Sequence, residues 1–203
     1  MKILCPKLEE YSAACLNEEE FFKNQFEGEF QKIKINADFS HCYFKKAKVL
    51  ESTFERSYFD YVIFENCNFS NIDFRECTFK TVLFKDCKLV GTNFSEAYFK
   101  NVTFDSCDMR YSNFGFVKMN LVEIKESKVV ESNFYESDLK NISFEHNDFS
   151  ETDFMHTKLE GIDFSTSKIE NIKVDFSSVK GIIVDSFGAI ELAQIMGIKI
   201  KEG

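Results

Sequence analysis

Ser57-Tyr-Phe-Asp-Tyr-Val-Ile-Phe-Glu-Asn-Cys-Asn-Phe-Ser-Asn-Ile-Asp-Phe-Arg-Glu76 sets phenylalanine at positions 59, 64, 69 and 74. Followed outward in both directions, the spacing holds from Phe39 to Val184. Thirty consecutive positions five residues apart are apolar, eighteen of them Phe and the rest Leu, Ile, Val or Met. A strand repeats at two and an amphipathic helix at 3.6, so a period of five requires a chain that turns regularly. A second row lies two residues before each of these phasing positions: Ala37, Cys42, Ala47, Ser52, Ser57, Val62, Cys67 and so on to Ile182. It contains no charged residue, and Asn147 is its one larger polar member. Each unit of five therefore turns one large and one small side chain inward. A unit so thin buries its apolar side only by stacking on its neighbours, which predicts a solenoid.

The small row also gives the number of sides. Every fourth unit reads Cys42, Val62, Val82, Val102, Val122, Ile142, Ile162, Ile182, and another column reads Ala47, Cys67, Cys87, Cys107, Ser127, Asn147, Ser167. One column is almost wholly β-branched and the other small or thiol-bearing, so the superperiod is twenty and the coil has four sides. Asx residues precede many phasing positions, among them Asn68, Asp73, Asn93, Asn113, Asn133 and Asp153, where their side chains can satisfy turn backbone. Gly91, Gly161 and Gly181 fall two residues after a phasing position, where a corner can require positive φ.

Units such as Thr92-Asn93-Phe94-Ser95-Glu96 resemble the pentapeptide repeat family. That resemblance implies an all-β fold, a right-handed quadrilateral β-helix, here with a short C-terminal helix. Three parts are expected: an N-terminal cap over residues 1–36, the β-helix over 37–186, and a C-terminal helix and strand over 187–203 that forms a dimerisation module. In the first part Glu29 and Lys34 stand where the register would require apolar residues. In the last, Phe187 to Met196 reads as a helix with Ser186 as N-cap and Gly197 as C-terminal glycine, followed by a brief strand over Ile198–Ile200.

Composition narrows the chemistry. The net charge is −9, from 25 basic and 34 acidic residues, which disfavours direct contact with nucleic acid or an anionic membrane and favours a basic partner. No apolar run suits a signal peptide or a membrane span, so a cytoplasmic location is expected. Five of the seven cysteines occupy the small inward row and read as core packing. His41, His146 and His156 fall at outward positions, and His146 and His156 lie on opposite sides. Neither a catalytic residue, a metal site nor a cofactor is expected, and the chain reads as a non-enzyme.

The segment Ala189–Ile198 is similar to the C-terminal dimerisation segment of the Qnr and MfpA branch of the family. Phe114-Gly-Phe-Val-Lys-Met-Asn-Leu-Val-Glu123 and Val130-Glu-Ser-Asn-Phe-Tyr135 resemble loop-poor Gram-positive chromosomal Qnr-like proteins. The resemblance implies binding to DNA gyrase or topoisomerase IV as a DNA mimic, with modulation or inhibition of the enzyme and quinolone resistance. Alternatives are a scaffold for another partner, or immunity to a peptide antibiotic that targets gyrase. A homodimer would form through Ile190, Leu192, Ala193, Ile195, Met196 and Ile198. The bland alternative is that the helix plugs the coil.

Thirty units at four per turn give 7.5 coils, about 36 Å at the ~4.8 Å strand spacing. Duplex DNA carries roughly 21 charges over that length, whereas residues 37–186 net −7. The charge is uneven. The side phased on Phe44 nets −4, that on Phe54 −4, that on Val49 −1 and that on Phe39 +2. The expected partner-binding residues are therefore Glu65, Asp86, Asp105, Glu123, Glu126 and Glu145 on one acidic side, and Asp73, Glu76, Glu96 and Glu136 on the other. Phe116 and Leu121, both outward, are candidates for a small apolar contact. The coil has no loop insertion of the kind that plasmid-borne Qnr proteins carry, so inhibition without strong protection is open.

Overall fold

A computed structural model describes residues 6, 12–13, 16 and 19–201. The strands run β1 (Ser12–Ala13), β2 (Glu20–Phe22), β3 (Asn24–Gln31), β4 (Asp38–Ser40), β5 (Tyr43–Leu50), β6 (Tyr58–Glu65), β7 (Thr78–Lys85), β8 (Tyr98–Asp105), β9 (Lys118–Lys125) and β10 (Asp138–Glu145), followed by α1 (Ser186–Ile195). Strand pairing is parallel, and from β6 to β10 each residue meets the one twenty positions on, as in Phe59↔Phe79↔Phe99↔Met119↔Leu139. The Val49 and Phe54 sides are held by isolated parallel bridges in the same register, such as Asn93↔Asn113↔Asn133. This is the four-sided parallel β-solenoid that the superperiod of twenty predicts.

The interior is a stack of rings. Phe39, Phe59, Phe79 and Phe99 lie face to face at 4.8–5.0 Å with planes within 7° of parallel, and Phe64, Phe84 and Phe104 stack on the next side at 4.6 and 4.8 Å with planes within 8°. Parallel strands in register force like residues to overlie at that spacing, which explains why the phasing position repeats one residue type so often. The small row has a second task. Its hydroxyls and thiols donate to the carbonyl of the phasing residue 23 positions earlier: Cys77 to Phe54 at 2.9 Å, Thr92 to Phe69 at 2.9 Å, Ser112 to Leu89 at 2.6 Å, Thr152 to Val129 at 2.7 Å. Asn147 fills the same role toward Ile124 and also accepts from the Ser127 N–H, so this buried amide is satisfied at both ends. The five described cysteines are buried and free, and burial pushes the Cys77 thiol up and that of Cys42 to about 11.

Corners are left-handed. From His41 to Gly181 every residue two after a phasing position has positive φ except Thr166 and Phe176, including Tyr61, Thr81, Phe116 and Leu121. The glycine signal in the sequence was thus the visible part of a rule that most corners obey with ordinary side chains, each costing about 1–2 kcal/mol. Asx side chains brace the units as expected, accepting from the N–H two residues on, as at Asn93 to Ser95 and Asp153 to Met155.

The two ends differ in detail from the expectation. Phe21 stacks on Phe39 and Phe26 on Phe44, so residues 20–36 lay a further coil against the first regular one. Its offset is 18 residues at Phe26↔Phe44 and 19 at Phe30↔Val49. The shift brings Phe30 into the place that Glu29 would occupy at a spacing of twenty. At the other end α1 begins one residue earlier than predicted: Asp185 is the N-cap, accepting from the Gly188 N–H at 2.8 Å, and Ser186 is helical. An aspartate carboxylate is as good a cap as serine, and it leaves Ser186 free to join the helix. Gly188 is buried so close to Ile169 and Val184 that an added Cβ would lie 3.1 and 3.0 Å from them. Gly197 follows the helix at φ +81° as expected. Residues 198–200 form no strand, since no neighbouring coil offers them a ladder.

One interface between coils departs from the rest. Against the 7.5 coils counted from the sequence, the continuous sheet covers about six turns, because β10 is its last strand. Beyond β10, on the Phe39 and Phe44 sides only, the ladder to residues 158–165 is open. The Val49 and Phe54 sides stay closed at that level, with Phe149 N–H donating to Lys168 O and Phe154 N–H to Lys173 O, both at 2.8 Å.

Candidate partner-binding surfaces

Four sides taken in chain order around a square place the Phe44 and Phe54 sides opposite one another. The two acidic sides therefore point in opposite directions, separated by the near-neutral Val49 side and the basic Phe39 side.

On the Phe44 side the residues just after the phasing position stack as Lys45, Glu65, Lys85, Asp105, Lys125, Glu145, a column of strictly alternating charge. Lys85 lies 3.9 Å from Glu65, and Lys125 lies 3.6 Å from Asp105 and 3.5 Å from Glu123. Glu65 also accepts from the Tyr43 hydroxyl. Cross-strand pairs of this kind contribute a few tenths to about 1 kcal/mol each, and they spend the carboxylates on their own sheet. Of the candidates on this side Asp86, Glu126 and Glu145 are exposed and enter no ion pair among the described residues, as is also true of Asp163 and Asp185.

The Phe54 side divides the same way. Asp73 is paired with Arg75 at 3.0 Å and accepts from the Asn93 amide at 3.1 Å, the first rung of an amide ladder through Asn113 and Asn133. Glu76 is gripped by both Nε and Nη2 of Arg56, which lowers its pKa. Glu96 and Glu136 are exposed and enter no ion pair among the described residues. They occupy one corner column with Phe116 between them, one coil above and below.

Phe116 is 50% exposed and meets Tyr135 edge-on at 5.7 Å. Leu121 is half-buried. The two sit at opposite edges of the Phe39 side on the same coil, five residues apart along an extended chain, roughly 16 Å. They are not brought together. Between them lies Lys118, one of six lysines (Lys80, Lys100, Lys118, Lys140, Lys158, Lys180) that make this side basic against four acids. Lys80 sits over the Tyr58 ring at 4.8 Å and Lys140 pairs with Asp138 at 2.7 Å.

The C-terminal residues separate into two sets. Leu192, Ile195 and Met196 pack against the core of their own chain, and Ala193 is half-buried. Ile190 and Ile198 are exposed, as are Phe187, Ile183 and Ile200, which sequence reasoning had not assigned to a surface. His146 and His156 are exposed, and His156 lies 3.2 Å from Asp175. Among the described residues no group of three or more His, Cys, Asp and Glu could hold a metal, and no helix is long and apolar enough to cross a membrane.

A family profile described as Pentapeptide repeat region matches residues 57–134, and one described as Pentapeptide repeats (8 copies) matches residues 130–167. The chain belongs to the pentapeptide repeat family. Among solved structures of the family it is similar to trypsin-treated QnrB1, a plasmid-mediated fluoroquinolone resistance protein, at 16% identity and TM-score 0.41 over 87% of this chain and 99% of that one. It is similar also to HetL, involved in heterocyst differentiation regulation in the cyanobacterium Nostoc, at 14% identity and TM-score 0.41 over 82% and 90%. A third is a pentapeptide repeat protein of the Arabidopsis thaliana thylakoid lumen, at 18% identity and TM-score 0.44 over 46% and 66%. At such identities none of the three transfers a role to this chain. Comparison with curated proteins finds no match.

Proposed function

We propose that this protein is a non-catalytic rod that seats in a basic groove of DNA gyrase or topoisomerase IV in place of a DNA segment, and so modulates or inhibits the enzyme. The observation that carries the reading is the set of exposed carboxylates on opposing sides that enter no ion pair among the described residues: Asp86, Glu126 and Glu145 on one, Glu96 and Glu136 on the other. The resemblance of residues 114–123, 130–135 and 189–198 to the Qnr and MfpA branch supports the same partner. A groove that touches both acidic sides must straddle the Val49 side, which leaves the lysine side facing outward. Glu65, Asp73, Glu76, Asp105 and Glu123 then act less as recognition groups than as partners of their own lysines and arginines. The exposed Ile190 and Ile198 would join two rods end to end, with a combined reach about twice that of one.

The alternating column on the Phe44 side favours a second reading, a scaffold whose charge serves mainly to bind its own coils together and stay in solution. Supercoiling by purified gyrase, with and without ciprofloxacin, separates the two. Wild-type protein should alter supercoiling or drug-dependent cleavage. Asp86→Lys with Glu126→Lys, or Glu96→Lys with Glu136→Lys, should abolish the effect, while Lys100→Glu on the outward side should keep it. No effect of the wild type at tens of micromolar would sink the topoisomerase reading and leave the scaffold.

A further inference from the structure

At the open interface beyond β10 the coil's interior and its backbone ladder are both accessible. Elsewhere on these two sides the N–H groups point into closed ladders: Lys118 donates to Ala97 O at 3.0 Å, Asp138 to Val117 O at 2.9 Å, Ile63 to Cys42 O at 3.0 Å. At this level the corresponding N–H groups of Leu139 and Phe144 above β10, and of Lys158 and Asp163 on the next coil, make no backbone hydrogen bond among the described residues. One coil further on the ladder is restored, with Leu159 N–H on Ser178 O at 3.0 Å and Phe164 N–H on Ile183 O at 2.8 Å. Two threonine hydroxyls bound the gap, Thr157 Oγ1 accepting from the Ser137 N–H and Thr166 Oγ1 from the His146 N–H.

The side chains register the same opening. Leu139 and Ile142 are half-buried, whereas Met119 and Val122, one coil below, are about 1% exposed or less. Phe144 and Phe164 cross at 60°, while Phe84 and Phe104 in the same column lie within 6° of parallel. Two clefts result. One of about 640 Å³ lies between Asp138, Leu139, Lys140 and Lys158, Glu160 on the Phe39 side. The other, about 380 Å³, lies between Ile142, Phe144, Glu145 and Gly161, Asp163, Thr166 on the Phe44 side.

We infer that this wedge is a docking site for an extended polypeptide segment of another protein, which adds as a strand to the free edge of β10. The chemistry of the edge selects the occupant. The unpaired groups are backbone N–H and C=O at strand spacing, and only a chain whose own backbone runs alongside satisfies them in series. Leu139, Ile142 and Phe144 ask for apolar side chains on the inward face of that segment. Asp138, Lys140, Lys158 and Glu160 along the rim fit a mixed-charge outer face. The inference is independent of any topoisomerase partner, since it concerns a different surface and a different kind of contact.

A labelled peptide copying residues 117–126, the segment whose β9 part pairs with the other edge of β10, is a direct probe. Amide hydrogen exchange on the full-length protein is the readout. In the free protein Leu139 and Phe144 should exchange at least about a hundredfold faster than Leu159 and Phe164, whose N–H groups are bonded. Peptide at millimolar concentration should slow them at least about tenfold, and a peptide N-methylated at alternate residues should not. Equal protection of all four amides in the free protein would show a closed ladder and overturn the inference. Fast exchange that the unmodified peptide leaves unchanged, or that the N-methylated peptide slows equally, would overturn it as well.

Discussion

Thr81 offers a substitution whose sign separates two accounts of the corners. It lies inside β7, where strand propensity makes replacement by glycine unfavourable by up to ~1 kcal/mol. Its φ is +51°, where the Cβ of an L-residue costs about 1–2 kcal/mol, with β-branching toward the upper end. The side chain is half-buried, and its hydroxyl enters no hydrogen bond among the described residues. Thr81→Gly removes the strain and adds about 0.5–1 kcal/mol of backbone entropy to the unfolded chain. The balance is a stabilisation of roughly 0.5–1 kcal/mol, or about 1–4 °C in Tm for a chain of this size. Gly91→Ala is the reverse experiment. Gly91 has φ +66°, and an added Cβ would lie 2.4 Å from Asn71 Oδ1, so its Tm should fall. Thermal and urea unfolding followed by circular dichroism measure both. A lower Tm for Thr81→Gly would refute the view that the corner conformation, rather than strand pairing, sets the energetics of these positions.

Two further outcomes follow from the C-terminal end. Ile190→Asp should yield a monomer in sedimentation with Tm nearly unchanged, whereas Leu192→Asp, which strikes a residue packed on its own core, should lose about 2 kcal/mol or more of stability; unchanged mass for Ile190→Asp would remove the dimer assignment. Asp175 accepts from the N–H groups of Ser177, Ser178 and His156 and from the Ser177 hydroxyl, which hold its carboxyl well below the usual range. A depressed folded-state pKa adds stability above the unfolded value near 4 and loses it as the pH falls further. The Tm advantage of wild type over Asp175→Asn should therefore be present at neutral pH and shrink below about pH 4, and a difference that is constant from neutral pH to pH 2 would contradict this.

The coil was legible because its determinants are local and repeated. A wrong period at Phe64 or Cys67 would have turned an apolar residue to solvent, so the spacing of five and the columns at twenty admit one folded arrangement. Where the repeat lapses, reading by period lapses with it. The register shortens to 18 at Phe26 and to 19 at Glu29 and Lys34, so Phe30 takes a place that strict counting assigns to Glu29. Asp185 rather than Ser186 caps α1, because both residue types satisfy the same orphan N–H groups. The charges of the acidic sides were legible as sums but not as pairs. Glu65 and Asp105 face lysines from neighbouring coils, while Glu123 meets Lys125 of its own strand, and the column becomes visible only when the sequence is read at intervals of twenty rather than side by side.

The wedge beyond β10 had no sequence signal, and the reason lies in how a solenoid distributes its stability. Coils interact with their neighbours alone, so one interface can open without disturbing the next. The Val49 and Phe54 sides keep their bonds at that level, and the half-coil beyond re-forms the ladder on the Phe39 and Phe44 sides. Closing the gap would add about four backbone hydrogen bonds, each with a net value of about 0.5–1.5 kcal/mol. Opening it therefore costs on the order of 2–6 kcal/mol in that interface, together with the exposure of Leu139 and Ile142. The inward residues at this level, Ser137, Leu139, Ile142 and Phe144, are of the same types as those of the closed coils. The opening is thus a property of backbone pairing on two sides, and a strand that completed that pairing would recover the cost without any change in the residues that define the period.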